Sequence, residues 1–276
     1  MAKIMNYCPP RTGRLLLGML PFILLIAVYL MASDARLAVN PADKLLPSID
    51  SFVSAIDRMA FTPSKRTGEY LLLTDTLASL SRLAMGVGVS ALIGLSIGIA
   101  TGVIPLVRST FSPLVTALSL IPPMAILPIL FISFGLGELS KVMLIVIGIG
   151  PIIVRDIQLR VLSLPEEQLI KAQTLGGNSW QIIVRVVLPQ IMPKLIEAIR
   201  LTLGSAWLFL IAAEAIVATE GLGYRIFLVR RYLSMDVILP YVCWITLLAY
   251  LMDWLLRLLS QRLSPWYHQS QGESNG

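Results

Sequence analysis

Apolar runs long enough to cross a membrane recur along this chain, and that limits it to few folds. Between Arg14 and Asp34 there is no charge at all. About 20 mostly apolar residues, rising about 1.5 Å each as a helix, cross about 30 Å of hydrocarbon. Inside hydrocarbon every backbone polar group must find a partner within the protein, which leaves helices or closed barrels. The runs here have helical length: Leu15–Ala32, Thr76–Gly102, Leu114–Phe134, Leu139–Ile157, Ile191–Ala218 and Val237–Leu259. The expected fold is all-α, a polytopic membrane bundle of about six transmembrane helices. No A-x-A-like cleavage site follows the first run, which continues Ser33-Asp34-Ala35-Arg36, so a retained span is expected rather than a signal peptide.

Composition agrees. Hydrophobic residues make up 56% before glycine is counted, against 14% charged, with a mean hydropathy of +0.80. A soluble domain reaches roughly 45–50% with glycine included. A disordered chain is excluded, and so is an ordinary water-soluble enzyme. The surplus of 22 basic over 16 acidic residues fits Lys and Arg beside anionic headgroups better than nucleic-acid binding. With the N-terminus inside, Lys3, Arg11, Arg108, Arg155, Arg160, Lys171 and Arg185 fall in inside segments, so both termini are expected on the cytoplasmic side. Cys8 and Cys243 lie far apart, and the single histidine, His268, sits in a polar tail. No disulfide framework, metal site or histidine-based catalysis is readable.

Residues 33–73 are polar and punctuated by Pro41, Pro47 and Pro63; within them Ile49, Phe52, Val53 and Ile56 recur as in a short amphipathic helix at the interface. In the second run Gly86, Ser90, Gly94, Gly98 and Gly102 return every fourth residue, a face where another helix can approach closely. Arg82, near the outer end of that run, either snorkels or faces a water-filled path. Pro122, Pro123 and Pro128 interrupt the third run, each removing a donor and kinking or breaking the helix, as in a mobile cavity-lining element. Glu138 and Lys141 read as a surface pair of little worth. Glu214, deep in the fifth run, is either a functional carboxylate or a hydrogen-bonded structural one next to the Gly221-Leu222-Gly223 turn. Asp253 is placed to pair with Arg257 at i,i+4.

The most informative segment lies outside the bilayer. Ser163 and Glu166 fit a capping box, Pro165 suits a first turn, and Gly176-Gly177 suits a helix stop. A helix over 164–176 is expected, with Leu169, Ala172 and Leu175 as its apolar stripe and Glu167, Lys171 and Thr174 facing elsewhere. Two occupants suit such a stripe: lipid headgroups or a groove on a cytoplasmic protein.

Gly176, nine further residues, then Val186-x-Leu188-Pro189 resembles the G-x9-I-x-L-P half of the EAA loop in permease subunits of bacterial ABC importers. Ser79-Leu80-Ser81-Arg82-Leu83, Pro122-Pro123-x-Ala125-x-Leu127-Pro128, Phe134-Gly135-x-Gly137-Glu138-x-x-Lys141, Glu214 before Gly221-Leu222-Gly223-Tyr224, and Ser264-Pro265-Trp266 resemble its nitrate/sulfonate/taurine branch. Where that motif has Glu-Ala-Ala, this chain has Ile170-Lys171-Ala172, with Glu166 and Glu167 upstream; Arg155-Asp156 is also more charged than the branch pattern.

The resemblance implies a multi-pass subunit of the bacterial inner membrane that moves a small solute handed over by a periplasmic binding protein. A small anion such as nitrate, an alkanesulfonate or taurine is expected; a thiamine precursor, aromatic carboxylate or urea-like compound is the alternative. A membrane-embedded lipid-modifying enzyme is a remote rival, because Arg82, Glu214 and Asp253 are scattered. The implied division is a cytoplasmic N-terminus (1–14), a first span (15–32), a periplasmic loop with an amphipathic segment (33–73), a permease core (74–260) with its EAA-like loop at about 158–189, and a cytoplasmic tail (261–276). No catalytic residue and no bound cofactor are expected. No G-x-x-x-x-G-K-[ST] loop occurs, so ATP and Mg belong to a separate ATPase subunit. The implied coupling residues are Glu166, Glu167, Leu169, Lys171, Ala172, Leu175, Gly176, Gly177, Leu188 and Pro189. Arg82, Pro122, Pro123, Pro128 and Glu214 are the translocation-path candidates, and a second permease copy is the expected partner in the membrane.

Overall fold

The computed structural model describes residues 10–40, 43–64 and 68–267. Lys3, Cys8 and His268 lie outside the described residues. Helices dominate: α1 (Arg11–Val39), α2 (Ile49–Ile56), α3 (Leu71–Val103), α4 (Pro105–Leu120), α5 (Pro123–Phe134), α6 (Glu138–Leu162), α7 (Glu166–Thr174), α8 (Ser179–Ile182), α9 (Leu188–Val217), α10 (Leu222–Arg230) and α11 (Met235–Leu263). Five continuous helical stretches are long and apolar enough to cross a membrane, and α4 with α5 forms a sixth, broken one.

α1 stands apart. Its apolar side chains, Leu16, Phe22 and Leu25 among them, are exposed all round. A helix apolar on every side has lipid or another protein for its solvent. It is tied back near its end, where Tyr29 Oη donates to the Pro47 carbonyl (2.9 Å) and Ser33 Oγ to that of Leu46 (2.9 Å). The amphipathic segment forms α2, capped by Ser48, whose hydroxyl accepts from the Ser51 N–H. Its expected stripe does not pack inward, since Ile49, Val53 and Ile56 are exposed and Ala55 makes the buried contact. That leaves the stripe for lipid.

The centre of the bundle is the pairing of α3 with α6. A Cβ added at Gly86, Gly98 or Gly102 would lie 2.7, 2.7 or 2.5 Å from the side chains of Ile145, Ile157 or Val161, and Gly94 is closed in the same way by Ile153. The every-fourth-residue stripe therefore receives an every-fourth-residue row of β-branched side chains, and the matching order of the two rows makes the helices parallel. Between helices in lipid there is no hydrophobic gain to be had, so this close packing supplies the attraction. On another face of α6, Gly148 accepts the Phe209 ring from α9.

Proline acts at one place in the third run. The helix begins at Pro105, ends at Leu120 and resumes at Pro123 with a 98° change of direction. Pro128 was expected to interrupt too, but it lies inside α5 without ending it. A proline neighbour disfavours helical geometry in the residue before it, and only Ile121-Pro122-Pro123 stacks two such restrictions in succession.

Two charge pairings differ from expectation. Asp253 pairs across to Arg200, Nε to Oδ1 at 2.7 Å and Nη2 to Oδ2 at 2.9 Å, rather than locally with Arg257. The planar guanidinium fork matches both carboxylate oxygens, which an i,i+4 neighbour seldom allows. Lys141 and Glu138 are no surface pair either: Lys141 is buried, and its Nζ donates to Glu138 at 2.7 Å.

Candidate functional site

α7 is built by its ends. Ser163 does not cap it, because Ser163 closes α6 and its hydroxyl donates to the Arg160 carbonyl. The N-cap is Pro165, and Glu166 and Glu167 occupy the first turn, where the helix dipole favours negative charge. The stop matches expectation. Gly176 takes φ +80°, its N–H returns to the Gln173 carbonyl, and the Gly177 N–H reaches that of Ala172, a complete Schellman motif. The capping box lies one step later, where the Gln181 N–H donates to Asn178 Oδ1 (2.8 Å) and the Asn178 N–H to Gln181 Oε1 (3.1 Å). The Asn178-x-x-Gln181 spacing was the signal that sequence reasoning missed.

The stripe of α7 divides. Leu169 and Ala172 pack on the chain's own core, whereas Leu175 is 88% exposed. Ile170 (55%) and Trp180 (71%) are exposed as well, and so are Glu166, Glu167 and Lys171. Gln168 meets Gln190 at 3.0 Å and ties α7 to the start of α9. Leu188 opens α9 with Pro189 in its first turn. Pro189 has no N–H to return to the preceding turn, and the backbone before it widens into a π-helical turn at Ile183–Val187.

At the opposite end of the bundle a largely buried polar cluster gathers residues from five helices, α3, α6, α9, α10 and α11. Asp75, Ser79 and Arg82 share one face of α3 at i, i+4 and i+7. Arg82, 2% exposed, donates from Nη1 to Glu214 Oε1 (2.8 Å) and the Glu220 carbonyl (2.9 Å), and from Nη2 to Glu138 Oε1 (2.9 Å). Its Nε also meets Glu138 Oε2. Ser79 Oγ donates to the Glu214 carboxylate (2.8 Å) and accepts from the Leu222 N–H (2.9 Å). Gly223 N–H donates to Glu214 Oε2 at 2.9 Å. Asp75, fully buried, accepts from the Gly221 N–H (3.0 Å), Arg225 Nε (2.8 Å) and Tyr241 Oη (3.1 Å).

Asp75, Ser79 and Glu214 thus take up the free N–H groups that open α10, and two arginines balance the carboxylates. Burial works to lower the Arg225 guanidinium, but its hydrogen bond to Asp75 and the neighbouring charge outweigh this, and its pKa is raised. Gly221 is required twice over: its φ is +123°, and a Cβ there would lie 2.6 Å from the Glu214 carboxylate.

The path candidates therefore separate. Arg82 and Glu214 are brought together inside the packing of one chain. Pro122 and Pro123 stand at the α4–α5 break and Pro128 on an exposed face of α5. Asp75, Glu138 and Arg225 were not singled out with Arg82 and Glu214, although the Asp75/Ser79/Arg82 spacing was legible. Among the described residues no group of His, Cys, Asp and Glu is arranged to hold a metal ion.

Comparison with known proteins sets this geometry in context. Residues 91–265 match the family described as binding-protein-dependent transport system inner membrane component. The chain is 36% identical over 194 residues to the taurine transport system permease protein TauC of Escherichia coli, covering 70% of each. It is 31% identical over 197 residues to the bicarbonate transport system permease protein CmpB of Synechococcus elongatus, covering 67% of this chain and 70% of that one. A chain of the inward-facing MetNI methionine ABC transporter superposes with a TM-score of 0.63 at 22% identity, covering 72% of this chain and 99% of its own.

Proposed function

The chain belongs to the binding-protein-dependent transport system inner membrane component family, the multi-pass permease subunits of ABC importers, and from that premise we propose that it forms a homodimeric path for a small anion. Taurine carries a sulfonate and bicarbonate is itself an anion, and two relatives belong to transport systems named for these solutes. An ATPase on the cytoplasmic side binds ATP and Mg, and a binding protein delivers the solute from the periplasm. Both termini of the chain are cytoplasmic.

The observation that carries the coupling assignment is the exposure of Ile170 in α7, Leu175 at its end and Trp180 in α8, while Leu169 and Ala172 of α7 face the chain's own core. An amphipathic segment fixed at both ends presents such anchors to a groove on a partner. Lys171 stands within the Glu-Ala-Ala positions, and Glu166 and Glu167 add charge upstream of them on the same exposed helix. ATP binding shifts the permease between states because the contacts to α7 differ between them.

The test is assembly and stimulation. The full chain should co-purify with its ATPase subunit, and ATP hydrolysis in proteoliposomes should rise when solute-loaded binding protein is added. A chain that assembles with no ATPase, or an ATPase indifferent to loaded binding protein, would overturn the assignment.

A further inference from the structure

Arg155 has no place in either structure described above. It lies on an exposed face of α6 with Ile152 and Leu159, at i−3 and i+4, and these residues wall a concavity of about 270 Å³. Ser119 and Leu120 close the other side, at the end of α4 and immediately before the 98° break. Asp156 also lines it, but its carboxylate is engaged by Arg160 Nε (2.6 Å), and Arg160 in turn reaches Glu197 (2.9 Å).

The arginines that the bundle shelters are all engaged: Arg82, Arg160, Arg200 and Arg225 by carboxylates, and Arg108 by the Thr101 and Gly102 carbonyls. Arg155 has neither hydrogen bond nor ion pair among the described residues. It stands seven residues before the end of α6, about 10 Å of helical rise. It falls within the last turns of the apolar run Leu139–Ile157 on the cytoplasmic side, where an arginine on the helix face is better placed toward water or a partner than toward lipid. The same seam is polar one turn further on, where Gln158 Nε2 donates to Ser112 Oγ at 2.7 Å.

We infer that Arg155 lines the solute path beside the α4–α5 break and binds the anionic group of the solute, a sulfonate, carboxylate or bicarbonate, through its planar fork of donors. This rests on the anion reading proposed above. A guanidinium engages two oxygens of one oxyanion with parallel hydrogen bonds, which an ammonium does not reproduce in geometry though it does in charge. The Asp156 carboxylate is turned to Arg160, so Arg155 is left as the cation that faces the concavity without a bonded carboxylate.

The test uses the permease reconstituted with its ATPase and binding protein in proteoliposomes, with labelled taurine, ethanesulfonate and bicarbonate as probes. Arg155→Gln should lower uptake of the transported anion by about tenfold or more, the loss expected for a hydrogen bond to a charged group, while stimulated ATP hydrolysis persists. Arg155→Lys should retain more uptake than Arg155→Gln. In a chain with Cys8→Ser and Cys243→Ser, the thiol of Arg155→Cys should react with a membrane-impermeant anionic thiosulfonate, and the transported anion should slow that reaction. Undiminished uptake by Arg155→Gln, or a thiol that does not react, overturns the role of Arg155 and leaves the anion reading standing. A wild-type complex that imports none of the three anions overturns the anion reading itself.

Discussion

Replacing Arg82 by glutamine should be among the most damaging single changes in the bundle. Arg82 is 2% exposed and Glu214 is fully buried, so Arg82→Gln leaves Glu214 with hydrogen-bond donors from Ser79 and Gly223 but no countercharge. Breaking a buried pair in this way costs about 3–5 kcal/mol, chiefly because an uncompensated charge stays behind. Glu214→Gln is the gentler half, since Arg82 keeps Glu138, whose side chain is 57% exposed and reached by water. Its cost should be about 1–3 kcal/mol, the penalty for a poorly satisfied buried group. In the double variant both charges are gone, and its loss should fall below the sum of the single losses by about 0.5–3 kcal/mol. With about 2–4 °C per kcal/mol for a chain of this size, Arg82→Gln should lower the apparent melting temperature in detergent by roughly 6–20 °C. Arg82→Gln should cost more than Glu214→Gln, and the double variant should cost less than the two single losses added together. Wild-type melting of Arg82→Gln, or strict additivity in the double, would refute the pairing as a coupled unit.

Two further substitutions probe the packing and the partner surface. Gly94→Ala should cost about 1–3 kcal/mol by overpacking against Ile153, and Ile153→Ala in the same chain should recover much of the loss in melting temperature; no recovery would place the clash elsewhere. Gly176→Leu forces a branched side chain into φ +80°, at about 1–2 kcal/mol, yet a Cβ there meets nothing within 4 Å. Retention of the ATPase in a pull-down should therefore fall much more than melting temperature does, and equal retention would argue against a docking role for this turn.

Period and length made the bundle legible before any coordinate. The glycine stripe from Gly86 to Gly102 announced a close helix contact but could not name its partner, because Ile145, Ile153, Ile157 and Val161 look like any apolar run until the two rows are set side by side. The stop of α7 was readable in Gly176-Gly177, since a left-handed turn is a local demand. Its start was not, because Ser163 was already committed to ending α6. The polar cluster was the hardest to see. Arg82 and Glu214 each stood out as charges in apolar surroundings, but their pairing, and the part played by Asp75 and Arg225, depends on contacts between distant segments. In the same way Asp253 chose Arg200 over its near neighbour Arg257. Spacing reveals faces of one helix; it does not reveal which faces meet.

The cluster around Arg82 also sets an order for biosynthesis. Glu138 follows Arg82 by 56 residues and Glu214 by 132. At about 5–20 residues synthesised per second, Arg82 waits roughly 3–11 s for its first carboxylate and 7–26 s for its second. During that interval an arginine in an apolar helix must be kept near water or headgroups, so α3 cannot settle at its final depth when it emerges. The insertion of one span is completed only by the arrival of another made much later, and a ribosome stalled between α6 and α9 would leave a permease with its most buried acid–base pair half made.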